Sequence, residues 1–79
     1  MKVHVKLQGT LPGHYHGTYP ETGLELELEN IVSVADLVDY LGLPKEKVSL
    51  VSVNGLLAKA DDLIPDGALV KLLQQLSGG

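Results

Sequence analysis

Histidine and serine are the side chains of this sequence that could bind a metal or act as nucleophiles. His14 and His16 form an H-x-H motif in a glycine-rich stretch, and two or three histidines can hold zinc. No acidic residue lies within the motif to orient the imidazole rings. We therefore interpret this stretch as a solvated loop, with His14 and His16 as weak candidates for metal ligands.

Catalysis by a nucleophile needs a serine, a histidine and an acid that converge in a pocket. Ser33 precedes a helical pattern and is better explained as a helix cap, while Ser49 and Ser52 lie in a strand-like segment. The glycines of residues 9–23 are not followed by the lysine and helix of a phosphate-binding loop, because the next lysine is at position 45. The sequence thus predicts neither a catalytic residue nor a bound cofactor, and we expect a protein that is not an enzyme.

Composition narrows the remaining classes of function. The 79 residues suffice for one small domain, and the 44% of apolar residues favours a folded chain. A net charge of -4 with dispersed lysines disfavours nucleic-acid binding and suits a partner with a basic docking face. The lack of cysteine excludes disulfides, thiolate zinc sites and iron–sulfur clusters. We also find no secretion signal and no apolar run long enough to span a membrane, so we expect a cytoplasmic protein.

Two segments near the start alternate between apolar and polar residues, as half-buried strands do. They are residues 2–8, with valines and a leucine, and residues 24–29, with leucines and glutamates. Antiparallel pairing would place the apolar residues on one face and the glutamates opposite Lys2 and Lys6 on the other. The connection over residues 9–23 is long for a hairpin, and long loops are often functional or mobile.

A single main helix is predicted after these strands. Ser33 and Asp36 fit a capping box at its start. Apolar residues recur at helical spacing over residues 34–41, and Gly42 fits a C-terminal cap. The helix is too short to be stable alone and needs a sheet to lie on.

The last part of the chain has the pattern of short strands and tight turns. These are a strand over 48–53, a turn at Asn54-Gly55, a short strand over 56–58, a turn at Pro65-Asp66-Gly67 and a strand over 68–74. The last strand is apolar on both faces except for one lysine, as expected at the centre of a sheet. The order predicts an α+β fold of the β-grasp, ubiquitin-like type over residues 1–75. It is a mixed sheet of four or five strands with one main helix on one face.

The whole pattern resembles the ubiquitin-like sulfur carriers, which include the small subunit of molybdopterin synthase and the thiamine-biosynthesis carrier. The resemblance covers nearly the whole chain. It rests on VKLQGTLP, SVADLVDYLGLP, VSLVSVNG, Leu63 with Pro65-Asp66-Gly67, and the terminal Ser-Gly-Gly. The length and the VKLQGTL opening are more similar to the molybdopterin synthase subunit, whereas the GHYHGTYP loop and Gln74-Gln75-Leu76 depart from it.

The resemblance implies that the carboxylate of Gly79 is the working group. A free C-terminal carboxyl has a pKa of about 3.5 and is ionised at pH 7, so it needs activation before it can react. An E1-like adenylyltransferase would use ATP to make an acyl-adenylate, and sulfide would then displace AMP to leave a thiocarboxylate. If a persulfide displaces AMP instead, a thiol must then reduce the S–S bond of the acyl disulfide to give the same product. The implied acceptor of the sulfur is the molybdopterin synthase large subunit or an equivalent enzyme, in molybdenum or tungsten cofactor biosynthesis.

Residues 76–79 are expected to form a flexible tail. Gly78 and Gly79 lack a Cβ atom, so with Leu76 and Ser77 they could thread a narrow channel in a partner. Fully extended, these four residues reach roughly 13 Å. Ordering them costs about 1–2 kcal/mol per residue, which a docking surface must offset.

Leu56, Leu57 and Leu73 are candidates for that docking surface, although leucines of so small a domain are more often core residues. The sequence leaves three alternatives open. The chain could carry sulfur for thiamine or another product, could be a modifier that is conjugated to lysine, or could be an interaction module that never uses Gly79.

Overall fold

The computed structural model describes residues 1–30 and 32–74. Within these residues the strands are β1 (Lys2–Leu7), β2 (Leu24–Glu27), β3 (Leu50–Val53), β4 (Leu56–Ala58) and β5 (Ala68–Leu73), and the helix α1 spans Val34–Leu41. They form a mixed five-stranded sheet in the order β2-β1-β5-β3-β4. β5 runs parallel to β1 and antiparallel to β3, so the last strand is central, as predicted. The predicted β-grasp fold is confirmed.

The alternating residues of β1 and β2 determine which face of the sheet is buried. Val3 lies opposite Leu26 and Val5 opposite Leu24, and both valines are buried. The predicted pairing of the glutamates with lysines is confirmed for Lys2, which faces Glu27, and is wrong for Lys6. β2 begins at Leu24, which lies opposite Val5, so no residue of β2 lies opposite Lys6.

Helix α1 covers the buried face and is held at both ends by its own sequence. The Asp36 N–H donates to the Ser33 hydroxyl at 3.1 Å, and the Ser33 N–H donates to the Asp36 carboxylate at 3.2 Å. This is the predicted capping box, which satisfies two N–H groups at the helix start. Gly42 ends the helix in the left-handed conformation, with φ +70°.

The β3–β4 hairpin is built on the predicted Asn54-Gly55 turn. Both residues have positive φ, +53° and +86°, as this tight turn requires. Asn54 also fastens the turn to the central strand, since its side chain accepts from the Leu69 N–H at 2.9 Å. β3 begins at Leu50 rather than at residue 48, because the Val48 N–H donates to the Lys45 carbonyl and caps the 3₁₀ turn over Lys45–Lys47.

The connection between β1 and β2 contributes to the core. Leu11 is completely buried, and Tyr15 and Tyr19 pack against the core. The Leu7 N–H donates to the Tyr19 hydroxyl at 2.9 Å, which ties the loop to β1. The prediction of a solvated loop therefore holds at the two exposed histidines and is wrong at these three anchors.

No helix among the described residues has the length and apolar character needed to cross a lipid bilayer.

Candidate functional site

The end of β5 is the part of the described structure that lies closest in sequence to the predicted working group. The Gln8 N–H donates to the Leu72 carbonyl and the Ser49 N–H donates to the Leu73 carbonyl, each at 3.0 Å. The strand is therefore held from both sides up to its last residue. The predictions for the tail fall on Leu76, Ser77, Gly78 and Gly79, which lie outside the described residues, and with them the boundary at residue 75 stays a prediction.

Gln74, the residue after β5, is fastened to the loop after β1. Its side-chain oxygen accepts from the Thr10 N–H at 2.6 Å and also from the Thr10 hydroxyl. Gly9 makes room for this contact, since a Cβ there would lie 2.9 Å from the same oxygen, and its φ of +68° favours glycine as well. The position and direction of the chain at residue 74 are thus set by the loop at residues 8–10.

The face of the sheet opposite α1 is called the open face, and leucines gather on it beside the end of β5. Strand neighbours alternate between faces, so buried Leu72 and Val51 place Leu73 and Leu50 on the open face, where the two lie directly opposite each other. Leu57 of β4 lies on the same face, one row further from the strand end. Leu50 is 50% exposed and Leu57 is 72% exposed, and we call Leu50, Leu57 and Leu73 the leucine patch.

The predicted docking leucines divide between the two faces. Leu57 and half-buried Leu73 share the open face. Leu56 is 74% exposed, but alternation along β4 turns it to the other side, next to Val53. Sequence reasoning missed Leu50, because the segment VSLVSV does not tell which of its apolar residues face the core. Its position directly opposite Leu73 is the signal that the register supplies.

The open face carries positive charge beside the leucine patch. Lys6 and Lys71 lie directly opposite each other on the parallel strands β1 and β5. Ser52 and then Leu57 continue the same row across β3 and β4. Although the chain has a net charge of -4, the surface next to the end of β5 is locally cationic. This differs from the expectation of a partner with a basic docking face.

The histidines are spread over separate parts of the surface. The His4 Nε2–H donates to the Thr22 carbonyl at 2.6 Å, and its Nδ1 lies 3.7 Å from the Glu25 carboxylate. His14 and His16 are exposed, and His16 lies against Gly42 at the end of α1. Within residues 1–30 and 32–74, no three histidine, aspartate or glutamate side chains come together to hold a metal ion. The H-x-H motif remains a weak candidate.

Two of the three serines considered as nucleophiles, Ser33 and Ser49, have hydroxyl groups that make hydrogen bonds in the described structure. The Ser33 hydroxyl is occupied by the predicted helix cap. The Ser49 hydroxyl points to the Leu73 carbonyl at 3.5 Å, and Ser52 lies next to Lys71 in the register.

Comparison with known proteins places this architecture among solved ubiquitin-like structures. No family model matches the sequence, and no curated protein matches it. The crystal structure of SAMP1 from Haloferax volcanii, a ubiquitin-like small archaeal modifier, is similar with a TM-score of 0.69 and 18% identity, and 100% of each chain is covered. The solution structure of a thiamine biosynthesis protein from Geobacter metallireducens is similar with a TM-score of 0.55 and 19% identity, over 96% of this chain and 87% of the other. At such identities the likeness shows the fold, which is the β-grasp fold of ubiquitin-like proteins.

Proposed function

We propose that this protein is a ubiquitin-like sulfur carrier whose Gly79 carboxylate is converted to a thiocarboxylate. The observation that carries the proposal is the terminal Gly78-Gly79 pair, placed a few residues after the central strand of a β-grasp domain. The likeness to a modifier and to a thiamine biosynthesis protein supports it, because both are small ubiquitin-like proteins.

The reaction begins with activation of the terminal carboxylate by a partner. A Gly79 oxygen attacks the α-phosphorus of ATP, pyrophosphate leaves, and an acyl-adenylate forms. Sulfide then attacks the carbonyl carbon, the C–O bond to AMP breaks, and AMP leaves with the electron pair. The chain supplies the acyl group, while an E1-like adenylyltransferase supplies the ATP site and the catalysis.

The described residues support this role by giving the tail a fixed origin. Gln74 is held by Thr10, and the leucine patch lies beside it on the open face. Docking through Leu57 and Leu73 would bring the start of the tail to the enzyme surface in one orientation. The apolar area that this contact buries would offset the entropy lost when residues 76–79 become ordered.

The acceptor of the sulfur is proposed from the particular sulfur carrier that the sequence resembles. The VKLQGTL opening and the length favour molybdopterin synthase, so we propose its large subunit or an equivalent enzyme as the acceptor, in molybdenum or tungsten cofactor biosynthesis. The likeness to a thiamine biosynthesis protein keeps a thiamine-type acceptor as the alternative within the same class.

A second candidate function is conjugation to protein lysines, which the full-length likeness to SAMP1 favours. It uses the same acyl-adenylate, and the final nucleophile is then an amine instead of sulfide. The two functions therefore share Gly79 and the docking face, and they differ only in the steps after activation.

Trapping the activated carboxylate tests the step that both functions share. The protein is incubated with ATP, the host's E1-like enzyme and hydroxylamine, whose nitrogen displaces AMP from the acyl-adenylate and leaves a hydroxamate on Gly79. We expect this product by intact-protein mass spectrometry, together with pyrophosphate release. A variant with one residue appended after Gly79 is the control, and it should give neither signal. Equal hydroxamate formation at the appended residue would contradict a role specific to Gly79.

A further inference from the structure

Two lysines lie side by side on the open face. Lys6 and Lys71 are direct neighbours in the parallel pairing of β1 and β5, whose chains are about 5 Å apart. β1 stays paired with β5 as far as Leu72, and β3 pairs with β5 on its other side, so the sheet fixes the two backbones at this spacing although β2 does not extend to Lys6. The two ammonium groups can therefore separate only through their side chains.

In the part of the chain that the structure describes, no acidic side chain forms an ion pair that neutralises the charges of this lysine pair. Gly23 lies against Lys6 at the start of β2, and Ser52 lies beside Lys71 on β3. Neither lysine belongs to an ion pair described within residues 1–30 and 32–74. Like charges directly opposite each other destabilise a sheet. In the free protein, the repulsion between Lys6 and Lys71 is therefore not offset by any ion pair among the described residues.

The surroundings of the lysine pair determine the chemistry of the partner that suits it. The leucine patch borders Lys71 across β3 and β4, so the surface joins two cations to exposed apolar area. The matching surface presents carboxylates within an apolar area. Nucleic acid does not match, because its binding grows with the number of clustered cations and the chain has a net charge of -4. A two-fold dimer through this face would bring the same lysine pair into the contact twice.

We infer that the open face binds a protein surface whose carboxylate side chains pair with Lys6 and Lys71 while the leucine patch packs around them. The inference rests on the proposed function, and the partner is the E1-like enzyme that adenylates Gly79. Opposite charge speeds the encounter and sets the orientation of the two proteins. The leucines then hold the complex while the tail reaches the ATP site.

The test compares neutral variants in the hydroxylamine assay. Lys6→Gln and Lys71→Gln each remove one cation from the face and should raise the KM for the carrier about tenfold through slower association. The kcat should stay unchanged, because the chemistry at Gly79 is untouched. The matched control is Lys2→Gln, which makes the same charge change on the same face of β1, about 13 Å from Lys6. The control should stay within about twofold of the wild type, since at physiological salt charges act over about 8 Å.

The Lys71→Glu variant separates docking from folding. It places opposite charges next to each other on β1 and β5, so the melting temperature should rise by about 2–5 °C. The KM should nevertheless rise further than in Lys71→Gln, because the new carboxylate repels those of the enzyme. A variant that only damaged the fold would lower the melting temperature instead.

The outcomes distinguish this inference from the proposed function. If Lys6→Gln and Lys71→Gln keep the KM of the wild type while Gly79 is still activated, the inference is overturned and the carrier function stands. If the wild-type chain is not activated by an enzyme shown to be active on its own carrier, the proposed function fails first. A dimer that sedimentation detects in the wild type and not in Lys71→Glu would assign the face to a second copy and overturn the inference.

Discussion

Leucines lie on both faces of the sheet, but they differ in how far they are exposed. Under α1, leucines and valines are buried, and within the described chain no charged side chain is buried with them. On the open face, Leu50 and Leu57 are at least half exposed and Leu73 is half-buried, and these leucines lie beside two lysines that face each other. Burial of the leucines under α1 therefore stabilises this domain, whereas exposed leucines, such as those on the open face, are expected of a surface that binds a partner.

The largest expected effect comes from truncating a leucine on the helix-covered side. Leu37→Ala removes a side chain that is fully buried between α1 and the sheet, and it should lower the free energy of unfolding by about 2–5 kcal/mol. In so small a domain this loss approaches the whole stability. Urea unfolding monitored by circular dichroism measures the change. A loss below about 1 kcal/mol would show that α1 does not carry the core.

A smaller effect is expected where the helix begins. Ser33→Ala removes one of the two hydrogen bonds of the capping box and should cost about 1 kcal/mol of stability. Ser33→Asp, which keeps an acceptor at the cap, is the matched control and should stay close to the wild type. Equal losses in both variants would mean that the side chain acts through something other than the cap.

Gln74 links the folded domain to the tail, and its replacement should act on both. Gln74→Met keeps the length of the side chain but removes the oxygen that accepts from Thr10, which should cost about 0.5–1.5 kcal/mol. Gln74→Glu retains an acceptor and should restore most of the loss. The exchange rate of the Thr10 amide proton, measured by NMR, should rise in the Met variant and not in the Glu variant. Unchanged exchange in the Met variant would contradict the contact.

The smallest effect on stability is expected on the open face. Leu57→Ala makes the same chemical change as Leu37→Ala at a side chain that is 72% exposed, so it should change stability by no more than about 0.5 kcal/mol. The KM for activation should rise several-fold all the same, since the leucine patch loses one member. A stability loss comparable to that of Leu37→Ala would remove the distinction between the two faces.

Local signals in the sequence were sufficient for most of the fold. The capping box at Ser33, the left-handed Gly42 and the Asn54-Gly55 turn each depend on residues that are adjacent in the chain, and all three are confirmed. The parallel placement of the last strand could be predicted because a helix must cross over between parallel strands.

The candidate site was harder to predict because it depends on register and on contacts distant in sequence. The pairing of Lys6 with Lys71 depends on the register of β1 against β5, and the face occupied by Leu50 depends on the register of β3 against β5. Leu11 looks like a loop residue in the sequence, and only the fold places it in the core. The contact between Gln74 and Thr10 joins residues at opposite ends of the domain, which no local pattern indicates.

Gly79 is the residue that we expect to carry sulfur, and intact-protein mass spectrometry tests this most directly. The wild-type chain is incubated with ATP, sulfide and an active E1-like enzyme, and the product is then fragmented to locate any change. We predict a mass gain that matches replacement of one oxygen by sulfur, confined to Gly79 and dependent on ATP. An unchanged mass under conditions in which the same enzyme forms a thiocarboxylate on its own carrier would contradict the sulfur-carrier function.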